Sequence, residues 1–271
     1  MNWIDTHAHL DLPRFGDDAD RWAAAERAQA AGIVAVVLPG VAPSGWDALL
    51  ASAAHLHAAA PAVGFHTALG IHPQVLPEIE ATADAEHLVN LEQRVLAAPA
   101  GMVAIGECGL DFGAEIEAGA PRERQVAVLA AHLALARRTG LPLLLHCLRA
   151  HSVLLELLRA APLPPSILHS WSGSAELAVL FCKAGHYISF AGSITLPRAR
   201  RPLEAARAVP ADRLLLETDS PDQTPFTRRP ARNEPAFLLE VAAAVAAARG
   251  QTLAELSEQT TTNARRVLAL A

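Results

Sequence analysis

Eight short apolar runs, each followed by a stretch with helical spacing, leave this chain few ways to fold. The runs are WID (3–5), GIVAVVLPG (32–40), AVGFHTALGIHP (62–73), MVAIGECGLDF (102–112), LPLLLHCLRA (141–150), PSILHSWSG (165–173), GHYISFAGS (185–193) and DRLLLETDSP (212–221). Between them the pattern predicts helices over 19–31, 44–60, 84–98, 121–139, 150–161, 174–184, 199–208 and 234–249, with one or two more over 252–270. A strand covered on both faces reads as a continuous apolar run, and a parallel sheet flanked by helices covers its strands in that way. Eight β–α units in ~250 residues match an α/β chain of the (β/α)8, or TIM barrel, type. No linker, low-complexity segment or close repeat interrupts the alternation, so residues 1–271 read as a single domain.

Composition supplies the core that such a barrel needs, with 52% hydrophobic residues, many of them alanines in helix-like runs. No apolar stretch reaches the ~18–20 uncharged residues of a membrane span, and Asp5 arrives too early for a signal peptide. The three cysteines, Cys108, Cys147 and Cys182, form no C-x-x-C pair, which predicts free thiols and a cytoplasmic location. A net charge of −6 does not suggest a general nucleic-acid coat protein. Two arginine clusters, Arg198/Arg200/Arg201 and Arg228/Arg229/Arg232, read either as solvated surface or as anion contacts.

In almost every run the polar residue comes last. His7 and His9 follow the first, Glu107 comes late in the fourth, His146 in the fifth, His169 in the sixth and Asp219 in the eighth. The C-terminal strand ends of a TIM barrel form its active-site face. Topology would therefore gather four imidazoles and two carboxylates at one mouth. Leaving them unpaired beside apolar strands would be costly, and a metal is their natural partner. Residues i and i+2 of a strand share a face, so His7 and His9 should point the same way. The HLH at 55–57 is a built-in control, because in a predicted helix those two positions lie about 200° apart and cannot share an ion. His66, His87, His132, His151 and His186 read as structural histidines. Cys108 and Cys147, one step beyond Glu107 and His146, should turn away as packed thiols. Six ligands exceed the need of one catalytic zinc-like ion. They suit two divalent ions sharing a carboxylate, an arrangement that serves phosphoryl transfer.

The set DTHAHLD, GIHP, GECGLDF, LLLHC, ILHSWSG, LLLETDSP and RNEP, in order, resembles the TatD family of metal-dependent deoxyribonucleases, a branch of the amidohydrolase-like barrels. The TTTNARRVL tail is similar to the family's last helix, so the resemblance covers nearly the whole chain. It implies one metal on His7, His9 and Asp219, a second on His146 and His169, and Glu107 bridging both. It also implies that His72, in GIHP, contacts the scissile phosphate. The two ions would be Mg, Mn or Zn, and Glu107 and Asp219 would carry catalysis. Ending the run LLLET, Asp219 is the expected general base. Arg232 and Arg149 are the expected substrate contacts, although Arg149 falls one place later than the arginine of the family's H-x-R. Asn233, ahead of Glu234 and Pro235, reads as a helix cap, and Trp171 as core.

The implied activity is hydrolysis of DNA, as a 3′→5′ exonuclease on single strands, with RNA or tRNA as further candidate substrates and no obligate protein partner. Two other readings share the frame: an ester or amide hydrolase such as a D-aminoacyl-tRNA deacylase, and a metal-stabilised nucleic-acid-binding protein without turnover.

Overall fold

The structure, a computed structural model, describes residues 1–270. Its strands are β1 (Trp3–Asp5), β2 (Ile33–Pro39), β3 (Gly64–Leu69), β4 (Met102–Asp111), β5 (Leu143–Leu148), β6 (Ile167–Leu168), β7 (Tyr187–Phe190) and β8 (Leu214–Leu216). They join in sequence order into one eight-stranded sheet, every neighbouring pair parallel. Thr6 N–H donates to Leu216 O at 3.2 Å, and a parallel bridge joins Ala8 to Ser220. These contacts bring β8 back to β1 and make a nearly closed (β/α)8 barrel, as the alternation predicts.

Helices α1 (Asp18–Ala30), α2 (Trp46–Ala59), α3 (Asp84–Leu96), α4 (Ala114–Gly119), α5 (Arg122–Thr139), α6 (His151–Arg159), α7 (Ala175–Lys183), α8 (Arg200–Ala208), α9 (Leu238–Arg249) and α10 (Leu253–Leu268) complete the order. The short α4 falls in a segment without strong periodicity and without a side-chain cap, so nothing announced it. The helix expected from residue 234 opens instead with a 3₁₀ turn, Pro235–Phe237, before α9. The tail is one helix, α10, started by a capping box between Thr252 and Glu255. Among the described residues, no single helix is long and apolar enough to cross a membrane.

Two apolar layers follow from strand alternation. Outward-facing residues such as Val36, Leu69, Leu145, Leu168 and Leu216 pack under the helices. Inward-facing Ile4, Val37, Ala68, Ala104, Leu144, Ile167 and Leu215 fill the barrel, with Ala264, Val267 and Leu268 of α10 packed against them. The interior changes character along each strand: Leu144, Ile167 and Leu215 lie in the apolar floor, and two residues on come His146, His169 and Glu217. Cys108 belongs to the outer layer and Cys147 packs against it, both turned away from the ligand that precedes them as expected.

Candidate metal centre

Glu107 reaches the centre because β4 carries an extra residue. Ala104 faces in and Ile105 faces out, so a regular strand would point Gly106 inward and Glu107 outward. The register with β5 instead slips between Ile105 and Cys108, and Glu107 N–H donates to Gly40 O at 2.9 Å. The bulge turns Glu107 inward and Cys108 outward. Gly106 permits it: its φ is +147°, and a Cβ there would meet Leu144 O at 2.7 Å.

His7 and His9 reach the same point by another route. The regular strand β1 stops at Asp5, so these histidines lie just beyond it and not on a strand as expected. Asp5, fully buried, accepts from His7 N–H at 3.2 Å and from Thr218 N–H and Oγ1 at 2.9 and 2.5 Å. His9 N–H donates to Ser220 O at 2.6 Å, and Asp219 N–H to His7 O at 2.9 Å. The chain beyond β1 is thus stitched to the chain beyond β8 in an extended course that aims both rings one way.

The Nε2 atoms of His7 and His9 are 3.1 Å apart. They stand 3.1 and 3.4 Å from Glu107 Oε2 and 3.7 and 3.9 Å from Asp219 Oδ1. On the other side, His146 Nδ1 and His169 Nε2 are 3.2 Å apart. They lie 3.5 and 2.8 Å from Glu107 Oε1. Two donors each ~2.1 Å from one tetrahedral ion would be ~3.4 Å apart, so these spacings suit shared ions. Glu107 Oε1 is buried with three imidazole nitrogens nearby, yet it completes no hydrogen bond. A buried carboxylate oxygen ringed by nitrogens without a completed hydrogen bond is the pattern of a metal donor set.

The cluster is continuous. His7 stacks on His169 with ring centroids 4.1 Å apart. Overlapping triads (His7–His9–Glu107, His7–His169–Asp219 and His72–Glu107–His146) each hold donor atoms within 4.8 Å. His72 therefore stands at ligand range, with Nε2 2.8 Å from Glu107 Oε1. Its tautomer argues for another role. His72 Nδ1 accepts from Gln74 N–H at 3.0 Å, and burial pushes its pKa down to about 4. The ring is then neutral with its proton on Nε2, a donor aimed into the site.

Burial opposes ionisation of Glu107, but the imidazoles of His169, His72 and His7 hold its carboxyl well below the ordinary range. Burial likewise works against a charged His169, and Glu107 outweighs it, so its pKa stands well above the usual histidine value.

The family model described as TatD related DNase matches residues 4–269. The chain belongs to the TatD family. It is similar to the uncharacterized metal-dependent hydrolase YjjV of Escherichia coli K12, 36% identical over 238 residues and 86% of each chain. It is also similar to the 3′-5′ ssDNA/RNA exonuclease TatD of Erwinia tasmaniensis, 35% identical over 98% of this chain and 100% of that one. The crystal structure of E. coli YjjV superposes with a TM-score of 0.87 at 32% identity, covering 99% of this chain and 98% of that one. This TatD-family chain is accordingly a metal-dependent hydrolase acting on ester bonds.

Sequence reasoning passed over several residues of the centre. Asp111 Oδ2 stands 3.3 Å from His146 Nε2 and accepts from Gln74 Nε2 at 2.8 Å. Glu217 Oε1 stands 3.4 Å from His169 Nδ1 and accepts from Ser170 N–H at 2.5 Å. Asp111 fixes the tautomer that leaves His146 Nδ1 free for a metal, and Glu217 sets a carboxylate beside the far edge of the His169 ring. Both were readable, since Asp111 is four positions from Glu107 and Glu217 two from Asp219. Gln223 Nε2 donates to Asp219 Oδ2 at 2.5 Å. Arg149, Ser170, Asp219 and Gln223 all adopt positive φ, so unusual backbone collects on the face that carries the site.

The expected arginine contacts are placed differently. Neither Arg149 nor Arg232 lines the cavity of about 470 Å³ over the cluster. Arg149 is exposed on the turn after β5, its direction changed by its one-place shift and a φ of 56°. Arg232 lies over the Phe15 ring at 4.3 Å, with Asp20 Oδ2 at 3.5 Å. Arg228 pairs with Glu240 at 2.7 Å. Asn233 is no helix cap. Buried, it donates from Nδ2 to Thr218 O and Asp222 O at 2.8 and 2.6 Å, clamping the segment around Asp219. Trp171 packs against Phe181 in the core.

Proposed function

We propose that this chain is a two-metal phosphodiesterase that degrades single-stranded DNA, and RNA as a second substrate, from the 3′ end. The observation that carries the reading is the split of one buried carboxylate. Glu107 turns Oε2 to His7 and His9 and Oε1 to His146 and His169. His7, His9 and Asp219 would hold one ion, His146 and His169 the other, and Glu107 both. Bound there, divalent ions would acidify a water for attack on phosphorus and neutralise charge developing on the phosphoryl oxygens. The mixed nitrogen and carboxylate set accepts zinc or manganese readily, with availability deciding.

The protein's own groups do the rest. Asp219 presents Oδ1 to the His7–His9 side while Gln223 holds Oδ2, so its carboxylate is oriented to take the attacking water's proton. Such assistance contributes ~10²–10⁴-fold. His72 offers an Nε2 proton to a phosphate oxygen, a donor that needs no charge at neutral pH. The relative named as a 3′-5′ ssDNA/RNA exonuclease supports substrate class and polarity. The three free cysteines support a reducing compartment, the cytoplasm.

The test strips the protein of metal and reloads it with manganese, zinc or magnesium. It then offers single-stranded DNA labelled at either end, single-stranded RNA, a D-aminoacyl-tRNA and bis(p-nitrophenyl) phosphate. The expected result is up to two ions per chain and stepwise shortening from the 3′ end. A stoichiometry that never exceeds one, or cleavage confined to the aminoacyl ester, rejects the reading.

A further inference from the structure

The cavity over the metal centre has carboxylates at Glu78, Glu107, Asp219 and Asp222, and among its described lining residues only Arg14 carries a permanent positive charge. Arg14 is the middle residue of a single 3₁₀ turn, Pro13–Phe15, five positions after His9. The turn is pinned at both sides. Pro13 sets its entry, and Phe15 is wholly buried with the Arg232 guanidinium over its ring. Gly16 closes it at a φ of +128°. Arg14, left exposed between these anchors, donates from a terminal nitrogen to Asp222 Oδ2 at 2.5 Å. Asp222 follows Asp219 by three residues. The pair therefore spans the mouth between the two chain segments that carry the His7–His9–Asp219 set.

Both partners are more than half exposed, at 56% and 53%. An ion pair so hydrated contributes little to stability, so exchanging the carboxylate for a phosphate costs little. A guanidinium fork also matches two phosphate oxygens. The neighbouring cations Arg228, Arg229 and Arg232 lie outside the cavity lining, their side chains turned to Glu240, to Thr224 O, and to Phe15 and Asp20. We propose that Arg14 binds the phosphate adjacent to the scissile one, with Asp222 holding it in place when no substrate is bound. The site then selects chains carrying at least two linked phosphates over an isolated phosphodiester. This rests on the two-metal nuclease reading and adds the residue that sets its preference for a polynucleotide.

The experiment uses the metal-loaded full chain with oligothymidylate and bis(p-nitrophenyl) phosphate, comparing wild type with Arg14→Ala, Arg14→Gln and Arg14→Lys. The ratio of kcat/KM on the oligonucleotide to that on the small diester should fall ~10-fold in the Ala and Gln variants, chiefly through KM. The log–log salt dependence of oligonucleotide binding should flatten by ~0.7, the loss of one single-strand phosphate contact. Arg14→Lys should recover part of the ratio, and Asp222→Asn should lower KM for the oligonucleotide. A wild type that cleaves the oligonucleotide, with an Arg14→Gln ratio and salt slope like its own, overturns the assignment of Arg14. A wild type that binds its metals and leaves the oligonucleotide intact overturns the nuclease reading instead, and the assignment with it.

Discussion

The two ends of the barrel are made from the same strands and have opposite chemistry. At the floor, Ile4, Leu144, Ile167 and Leu215 close against Ala264, Val267 and Leu268 of α10. At the mouth, one pleat further along, His146, His169, Glu217 and Asp219 replace them. The histidines make the contrast sharp. His186, buried beside the start of β7, forms no ion pair among the described residues, and burial pushes its pKa down to about 4. His169 is also buried, but Glu107 lifts it well above its ordinary value. Burial alone does not make a functional histidine; a carboxylate aimed at the same point does.

The largest expected effect lies at the mouth. Asp219→Asn keeps the shape and one oxygen of the proposed ligand and removes the proposed proton acceptor, so turnover should fall at least ~10²-fold. Melting temperature should hold steady, since Asp219 adds a negative charge to a mouth already rich in them. Steady-state kinetics with elemental analysis decide it: near-normal turnover with both metals bound would remove Asp219 from catalysis.

Next comes the floor. Leu268→Ala truncates a side chain only 2% exposed against the barrel interior and should cost ~2–4 kcal/mol in denaturant unfolding. Turnover per folded molecule should stay near wild type. Loss of activity without loss of stability would mean that floor and mouth are not separable.

The buried histidine supplies a pH test of similar size. The folded pKa of His186, about 4, is below its unfolded value of ~6.5, so the unfolded state binds more protons between those limits. Stability should therefore be full above pH ~6.5 and fall as pH drops toward 4, by up to ~3 kcal/mol from this residue. Replacing His186 with leucine should flatten that limb of the unfolding curve. An unchanged limb would place the acid sensitivity elsewhere.

How much of this was legible beforehand depends on what each residue needed to be found. His146, His169 and Asp219 follow apolar runs by strand alternation alone, and so does the barrel. Asp111 and Glu217 obeyed the same alternation, but each hid one or two pleats from a more conspicuous ligand. Glu107 points inward only through the bulge at Gly106, a register slip that motif order could suggest and periodicity could not. The arginines were the hardest. Proximity in sequence to the last strand favoured Arg232, whereas the buried Phe15 ring captures its guanidinium and leaves Arg14 to face the cavity. Which cation meets solvent depends on packing between segments more than two hundred residues apart, and no local pattern records it.

The smallest expected effect is also the strictest control on strand and helix placement. The chain contains two His-x-His patterns, His7/His9 beyond β1 and His55/His57 within α2. On the helix the two rings point about 200° apart. His55 is exposed, and His57 Nδ1 lies 3.0 Å from Val63 O, a partner that consumes its proton. Replacing both with alanine should leave metal content and turnover unchanged and cost only ~1 kcal/mol, the net worth of one such hydrogen bond. The same double substitution at His7 and His9 removes two donors that stand 3.1 Å apart and should empty one metal position. Elemental analysis of the two double variants side by side isolates geometry from composition, because each loses two histidines from an identical pattern. Equal metal loss in both would show that histidine content and not extended backbone geometry controls binding, and the mouth would lose its special standing against the rest of the molecule.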